Sequence, residues 1–209
     1  MKYAVLGAGG FIGTNLTKYL LSVSDYNEVI AVDNNLTGNL LRLQEVVTYP
    51  GLNRLRTIQG DICKESTYEE IEKVDVIYNL ACPASPIQYQ SYPIDTIKAC
   101  TEGLFKSLQY AERSGAMYFH TSTSEVYGDP DEDHHPQRES YHGNVNTWGP
   151  RASYDEAKRL AETICYEFKN VVKIRVARIF NTYGPYMMYN DGRVVSNFIL
   201  QALAGKDIT

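Results

Sequence analysis

Membrane-spanning length is the first thing missing from this chain. No apolar run in its 209 residues approaches the roughly 18 needed to cross a bilayer. The opening MKYAVLGAGGFIG has no basic segment, and its glycines interrupt the apolar run too early for a secretory leader. Cysteine is scarce. The four present (Cys63, Cys82, Cys100, Cys165) are far apart and form no CxxC pair, which argues against a metal site or a disulfide framework and for reduced thiols. Excess positive charge is also absent: the net charge is −5, so neither nucleic acid nor an anionic membrane is expected as a partner. Any anionic ligand must then be met by local donors. Internal repeats and low-complexity linkers are lacking as well. These absences lead us to expect a cytoplasmic protein without a metal.

What is present is an ordered alternation. Apolar, β-branched runs at Tyr3–Leu6, Glu28–Val32, Leu55–Ile58, Asp75–Tyr78, Met117–Ser122 and Val172–Phe180 read as six strands. Helical spacing separates them at about Phe11–Ser22, Gly38–Val47, Thr67–Ile71, Pro93–Ser114 and Ala152–Lys169, with a last helix over Val194–Ala204. Strands alternating with helices predict an α/β fold: a doubly wound, Rossmann-type parallel sheet with helices on both faces. The polar stretch Gly128–Pro150 is too long for a mere connection and is expected to cover a site.

The first strand ends in GAGGFIG, placing Gly7, Gly10 and Gly13 at GxxGxxG spacing ahead of a helix. Such a turn lets backbone approach a pyrophosphate, while the helix beyond it aims N–H groups and its positive dipole end at the phosphates. Phe11 and Ile12 belong to that first helical turn. A glycine pattern alone is weak evidence, but its place between strand and helix is the context dinucleotide binding requires. Asp33 closes the second strand, twenty residues beyond Gly13. A carboxylate there accepts from both ribose hydroxyls and repels a 2′-phosphate, favouring NAD over NADP. Asn34 follows it in a sequence that also suits a turn. Asp61 and Ile62, after the third strand, are placed to reach the adenine, although Asp61 suits loop capping too. Asn79, Leu80 and Ala81 end the fourth strand, where small residues would let the backbone pass close to the cofactor.

Tyr154 and Lys158 form YxxxK at the start of a helix, with i, i+4 spacing that puts both on one face. A nearby ammonium stabilises a phenolate and lowers the tyrosine pKa, making it a usable proton acceptor. With seventeen tyrosines, one such match is expected by chance, so its position after the fifth strand carries the weight. That strand runs into TSTSEVYG, where Thr123, Ser124 and Glu125 stand at a carboxyl end, the side on which open α/β sheets bind ligands.

Together GAGGFIG, Asp33, TSTSEVYG, YDEAK and NTYGP resemble the extended short-chain dehydrogenase/reductases of the NAD-dependent epimerase/dehydratase family, which modify nucleotide sugars. Within that family NLACPASP, PIDTIK, HGNVN, GPRASYDEAKR, RVARIFNTYGP and NDGRVVSNF are most similar to the UDP-glucuronate decarboxylases, which make UDP-xylose. The resemblance implies NAD as cofactor, a UDP-sugar substrate and a 4-keto intermediate. It also implies a homodimer through helices around 93–114 and 152–169. Thr123 and Tyr154 would position the 4-oxygen, Ser124 and Glu125 would serve decarboxylation, and Pro83, Ser85, Asn181, Arg193 and Asn197 would contact the substrate. His120, His134 and His135 are expected to be structural or solvated. Cys100 stands where the family often has Asn, and Tyr186 where it usually has Arg. The family enzymes continue further, so the expected organisation is a Rossmann domain over 1–180 and the start of a truncated nucleotide-sugar lobe over 181–209. Two rival functions remain: a UDP-glucuronate 4-epimerase or related epimerase/dehydratase, and an NAD-binding protein without turnover. A 4,6-dehydratase is disfavoured, because Asp-Glu would replace Ser124-Glu125.

Overall fold

A computed structural model describes residues 1–209. Six strands form one parallel sheet in the order β3-β2-β1-β4-β5-β6. They are β1 (Lys2–Leu6), β2 (Glu28–Asp33), β3 (Leu55–Gln59), β4 (Val76–Asn79), β5 (Met117–Thr123) and β6 (Ile174–Ile179). The helices are α1 (Phe11–Ser22), α2 (Leu41–Val46), α3 (Glu65–Glu69), α4 (Pro86–Ser91), α5 (Pro93–Lys98), α6 (Leu104–Ser114), α7 (Ala152–Phe168) and α8 (Val194–Leu203). The chain winds outward from β1 to β3 and then returns to β4 beside β1. That reversal opens a crevice at the carboxyl ends of β1 and β4.

Period-2 alternation explains why the central strands are apolar throughout. Ala4 and Leu6 of β1 enter one core with Ile30, Val32, Ile77 and Tyr118. Tyr3 and Val5 enter the other with Val29, Ala31 and Val76. α1 and α2 cover the second face through Leu20, Leu21 and Leu43, while α6 and α7 cover the first through Leu104, Leu108, Ala161 and Ile164.

Three expectations are corrected. The helix expected over Pro93–Ser114 is interrupted by a π-helical turn at Ala99–Gly103, and α4 precedes it. The helix expected from Gly38 begins only at Leu41, because Asn35 and Asn39 side chains accept the Leu40 and Leu41 amides in local turns. The polar stretch 128–150 does not cover the cleft. It folds against α7 and β6, where Arg159 donates to the His142 carbonyl (2.6 Å) and Arg178 to that of Glu139 (3.0 Å). Its backbone also bridges Gly128 to Asn144.

At the far edge, β6 pairs only with β5. Val176 and Phe180 there are 43% and 51% exposed, and α8 buries none of its residues.

Candidate active site

The glycine turn is built by contact. Gly7 sits at φ +80°, and a Cβ on it would lie 2.7 Å from the Leu80 carbonyl carbon and 2.8 Å from Ala81 Cα. A Cβ on Gly13 would lie 2.2 Å from the Gly7 oxygen, whereas one on Gly10 meets nothing nearer than 3.3 Å. Gly7 and Gly13 therefore let β1, α1 and the end of β4 close on one another, and Gly10 leaves open space in front of the helix. The first-turn amides of Phe11, Ile12 and Gly13 have no intrahelical acceptor. No acidic residue and no side-chain cap occupies that end of α1, so it remains an anion-attracting terminus.

Two adjoining cavities, of about 280 and 320 Å³, share Gly7, Gly10, Thr37, Leu80 and Cys82 and form one elongated cleft. Asp33, Asn34, Asp61, Ile62 and Ala81 line one half. Phe11, Ile12, Thr123, Ser124, Glu125, Tyr154 and Lys158 line the other. Asp33 is 8% exposed, and its two carboxylate oxygens accept the Gly9 (2.9 Å) and Asn35 (2.8 Å) amides. Burial raises its pKa against those two bonds. Each oxygen keeps a lone pair for a further donor. The chain also fits a dinucleotide at Gly38, where a Cβ would come 2.7 Å from the Asp33 carboxylate and cap it. Asp61 accepts the Cys63 amide (2.9 Å), so the loop-capping role is present alongside its place in the cleft.

On the other side, α7 turns a continuous inward stripe of Tyr154, Lys158, Ala161 and Cys165 toward the sheet. Lys158 donates to the Thr121 carbonyl (2.9 Å), and the Thr121 hydroxyl donates to that of Asn79 (2.7 Å), tying α7 to the ends of β4 and β5. Burial opposes the Lys158 charge, but the ionisable Cys82, Cys100 and Tyr154 around it hold its pKa above the ordinary value. Tyr154 is 6% exposed. Here the expectation of a lowered tyrosine pKa needs correcting. Burial raises it, and the pull of Lys158 and Thr123 in the other direction offsets only part of that rise.

Glu125 is ion-paired with Arg151 at the start of α7, and Arg151 also approaches Asp155 (3.4 Å). Ser124 donates weakly to Glu125 (3.4 Å), and the Glu125 amide donates to Thr123 Oγ1 (3.3 Å). Ser85 caps α4 by accepting the Gln88 amide. Asn181 and Arg193 line the same half as Tyr154, with Arg193 held bidentately by Asp191. Two residues expected at the substrate fall elsewhere. Pro83 lines the Asp33 half. Asn197 donates to the Gly192 carbonyl (3.2 Å) and does not line the cleft. His120 is buried with both ring nitrogens unpartnered, and burial, aided by Lys158, takes its pKa down to about 3. His134 pairs with Asp131 at the surface.

Residues the sequence did not single out complete the wall. Tyr89 stacks on Tyr154 with ring centroids 4.8 Å apart and planes within 10°. Arg42, from α2, lines the cleft and donates to the Tyr186 carbonyl (3.0 Å), while Lys18 donates to the Tyr186 hydroxyl (3.1 Å). Among seventeen tyrosines nothing marks Tyr89, since its partner lies 65 positions away. Thr37 and Arg151 were equally unmarked.

The chain is 48% identical over 211 residues to UDP-glucuronic acid decarboxylase 6 of Arabidopsis thaliana, with all of this chain and 59% of that protein aligned. It is 50% identical over 210 residues to UDP-glucuronic acid decarboxylase 1 of Xenopus tropicalis, spanning 47% of it. The chain thus covers well under two thirds of the length of these relatives. Among solved structures, a dTDP-glucose 4,6-dehydratase of Streptomyces venezuelae with NAD bound superimposes with a TM-score of 0.78 at 28% identity, over 98% of this chain and 63% of that one. A UDP-glucuronic acid 4-epimerase of Bacillus cereus, in complex with UDP-glucuronic acid and NAD, shares the fold (TM-score 0.81, 24% identity, 100% of this chain and 65% of that one). The family model for NAD dependent epimerases/dehydratases matches residues 3–209, and the chain belongs to that family.

Proposed function

We propose that this chain is the cofactor-binding and proton-transferring part of a UDP-glucuronate decarboxylase that makes UDP-xylose. The observation carrying this reading is the convergence of Tyr154, Lys158, Thr123, Ser124 and Glu125 on one half of a cleft whose other half carries Asp33. The identity to decarboxylases, close to one residue in two, supports it over the more distant epimerases.

In this reading the first-turn amides of α1 hold the pyrophosphate and Asp33 holds the ribose. NAD, when bound, supplies reversible hydride acceptance at the sugar C4. Tyr154 takes the 4-hydroxyl proton, and Lys158 stabilises the phenolate that must form for it to do so. Thr123 fixes the 4-oxygen beside the phenol. Oxidation at C4 makes the substrate a β-keto acid, which loses CO₂ because the new carbonyl accepts the electron pair as an enolate. Ser124 and Glu125 face that step, with Arg151 compensating the Glu125 charge. The partly exposed flanks of α5, α6 and α7 support a homodimer, with Ile94, Ile97, Phe105 and Leu160 between 39% and 60% exposed.

Incubating the purified chain with NAD and UDP-glucuronate, and identifying products by mass, tests the reading. UDP-xylose and CO₂ are expected, and Tyr154→Phe should lower the rate by a factor on the order of 10²–10⁴. A carboxylated epimer as product would assign a 4-epimerase instead. Full decarboxylation by the Tyr154→Phe protein would overturn the mechanism.

A further inference from the structure

One cysteine stands in the cleft wall at the junction of its halves with a second behind it, and nothing in the proposed chemistry uses them. Cys82, on the segment after β4, faces both cavities. Cys100 lies behind it in the π-helical turn, 2% exposed, with the two sulfurs 3.4 Å apart. We propose that Cys82 and Cys100 are an oxidisable dithiol, and that closing it to a disulfide weakens dinucleotide binding.

The geometry supplies both halves of this inference. A disulfide needs about 2.05 Å between sulfurs, so the pair must close by more than an ångström. Cys100 has little room to move: its turn is packed into the core, and a Cβ on neighbouring Gly103 would meet Ile62 at 2.5 Å. The segment carrying Cys82 must therefore give. That segment begins with Leu80 and Ala81, which press on Gly7 so closely that not even a methyl group fits between them. Displacement of Cys82 is thus transmitted to the turn that receives the pyrophosphate.

Reactivity is favoured at this pair over the other two cysteines. The hydrogen bond they share draws the Cys100 thiol below its ordinary pKa, with Lys158 assisting against burial, while that bond and burial push Cys82 well up, so Cys100 is the readier nucleophile for closing the bridge. Cys63 and Cys165 are pushed up to about 12, chiefly by burial. With hydrogen peroxide as oxidant, Cys82, the member of the pair that lines the cleft, attacks one oxygen, giving a sulfenic acid and a hydroxide that takes the thiol proton as water. The Cys100 sulfur then attacks the Cys82 sulfur, forming the S–S bond and releasing hydroxide, which leaves as water with the Cys100 proton. Two thiols lose two electrons, and one peroxide becomes two waters.

The test treats the purified full chain with hydrogen peroxide, alkylates the remaining thiols and maps them by mass spectrometry. A Cys82–Cys100 peptide pair two hydrogens lighter is expected, with Cys63 and Cys165 still alkylated and dithiothreitol reversing the change. Calorimetric titration should show NAD binding at least tenfold weaker after oxidation, restored by reduction, and unaffected by peroxide in Cys100→Ser. Should that variant fail to fold, Cys100→Ala and Cys82→Ala provide the same comparison. Unreacted thiols, Cys82 advancing to sulfinic acid beside a free Cys100, or a bridge between separate chains would overturn the dithiol. A bridged protein with unchanged NAD affinity would overturn its effect on binding. The bridge is read independently of turnover, so it stands or falls apart from the decarboxylase reading.

Discussion

Gly7, Gly10 and Gly13 share one motif but serve different ends. Gly13→Ala puts a methyl within 2.2 Å of backbone, so the strand–helix junction must shift, at a cost of roughly 1–3 kcal/mol. Gly10→Ala meets only the Gly7 oxygen at 3.3 Å and should leave thermal stability near that of the parent. It should nonetheless weaken NAD binding at least tenfold, about 1.4 kcal/mol, because the methyl stands where the pyrophosphate must approach. Thermal melts and NAD titrations of both variants check this, and equal loss of stability would refute the division of roles. Single residues with a motif around them, such as Asp33 and Tyr154, were legible before the fold was known. The state of Tyr154 was not, because its pKa depends on burial against Tyr89 and the cleft wall as much as on Lys158 one turn away. Motif spacing carries the second effect and is blind to the first.

Between elements, the strongest ties lie under the Tyr154 side of the cleft. Arg178 of β6 holds Glu162 of α7 through two bonds (2.9 and 2.7 Å) and also donates to the Tyr127 hydroxyl (2.9 Å). Ser122 of β5 donates to the same carboxylate. Burial works against the Glu162 charge, but Arg178 and Ser122 hold its pKa below the ordinary value of 4.5. A carboxylate depressed in the folded state adds stability that is present above about pH 4.5 and fades as pH falls through the lowered value. Arg178→Ala strands a half-buried carboxylate and is expected to cost on the order of 2–4 kcal/mol at pH 7. Chemical denaturation should show that difference shrinking as pH falls below about 4.5, and a pH-independent difference would exclude the ion pair as its source. Strand positions and most helices were legible from the alternation of patterns, since period 2 and period 3.6 are local properties. The π-helical turn and the early stop of the helix expected at Gly38 were not. The latter is set by Asn35 and Asn39 competing for backbone amides. The long polar stretch misled for a related reason: its length signals a purpose, but its partners Arg159 and Arg178 lie in distant elements.

For the whole molecule, the distribution of apolar surface decides what assembles. Phe105 (45% exposed) and Leu160 (48%) stand on the flank formed by α6 and α7, and we expect them to meet a second copy. Light scattering should report a dimer, and Leu160→Glu with Phe105→Glu should give a monomer that retains NAD binding. A parent that runs as a monomer at all concentrations would refute that interface. The opposite flank behaves differently, because β6 has a neighbour on one side only. Amides in a parallel strand point alternately to either side, and the Tyr118 amide donates to the Lys173 carbonyl, which sets the phase. Hydrogen–deuterium exchange should therefore run in a two-residue beat along this edge, slow at Ala177 and Ile179 and fast at Val176 and Arg178. When another strand joins that rail, from this polypeptide or another, the fast positions fall silent and the beat disappears.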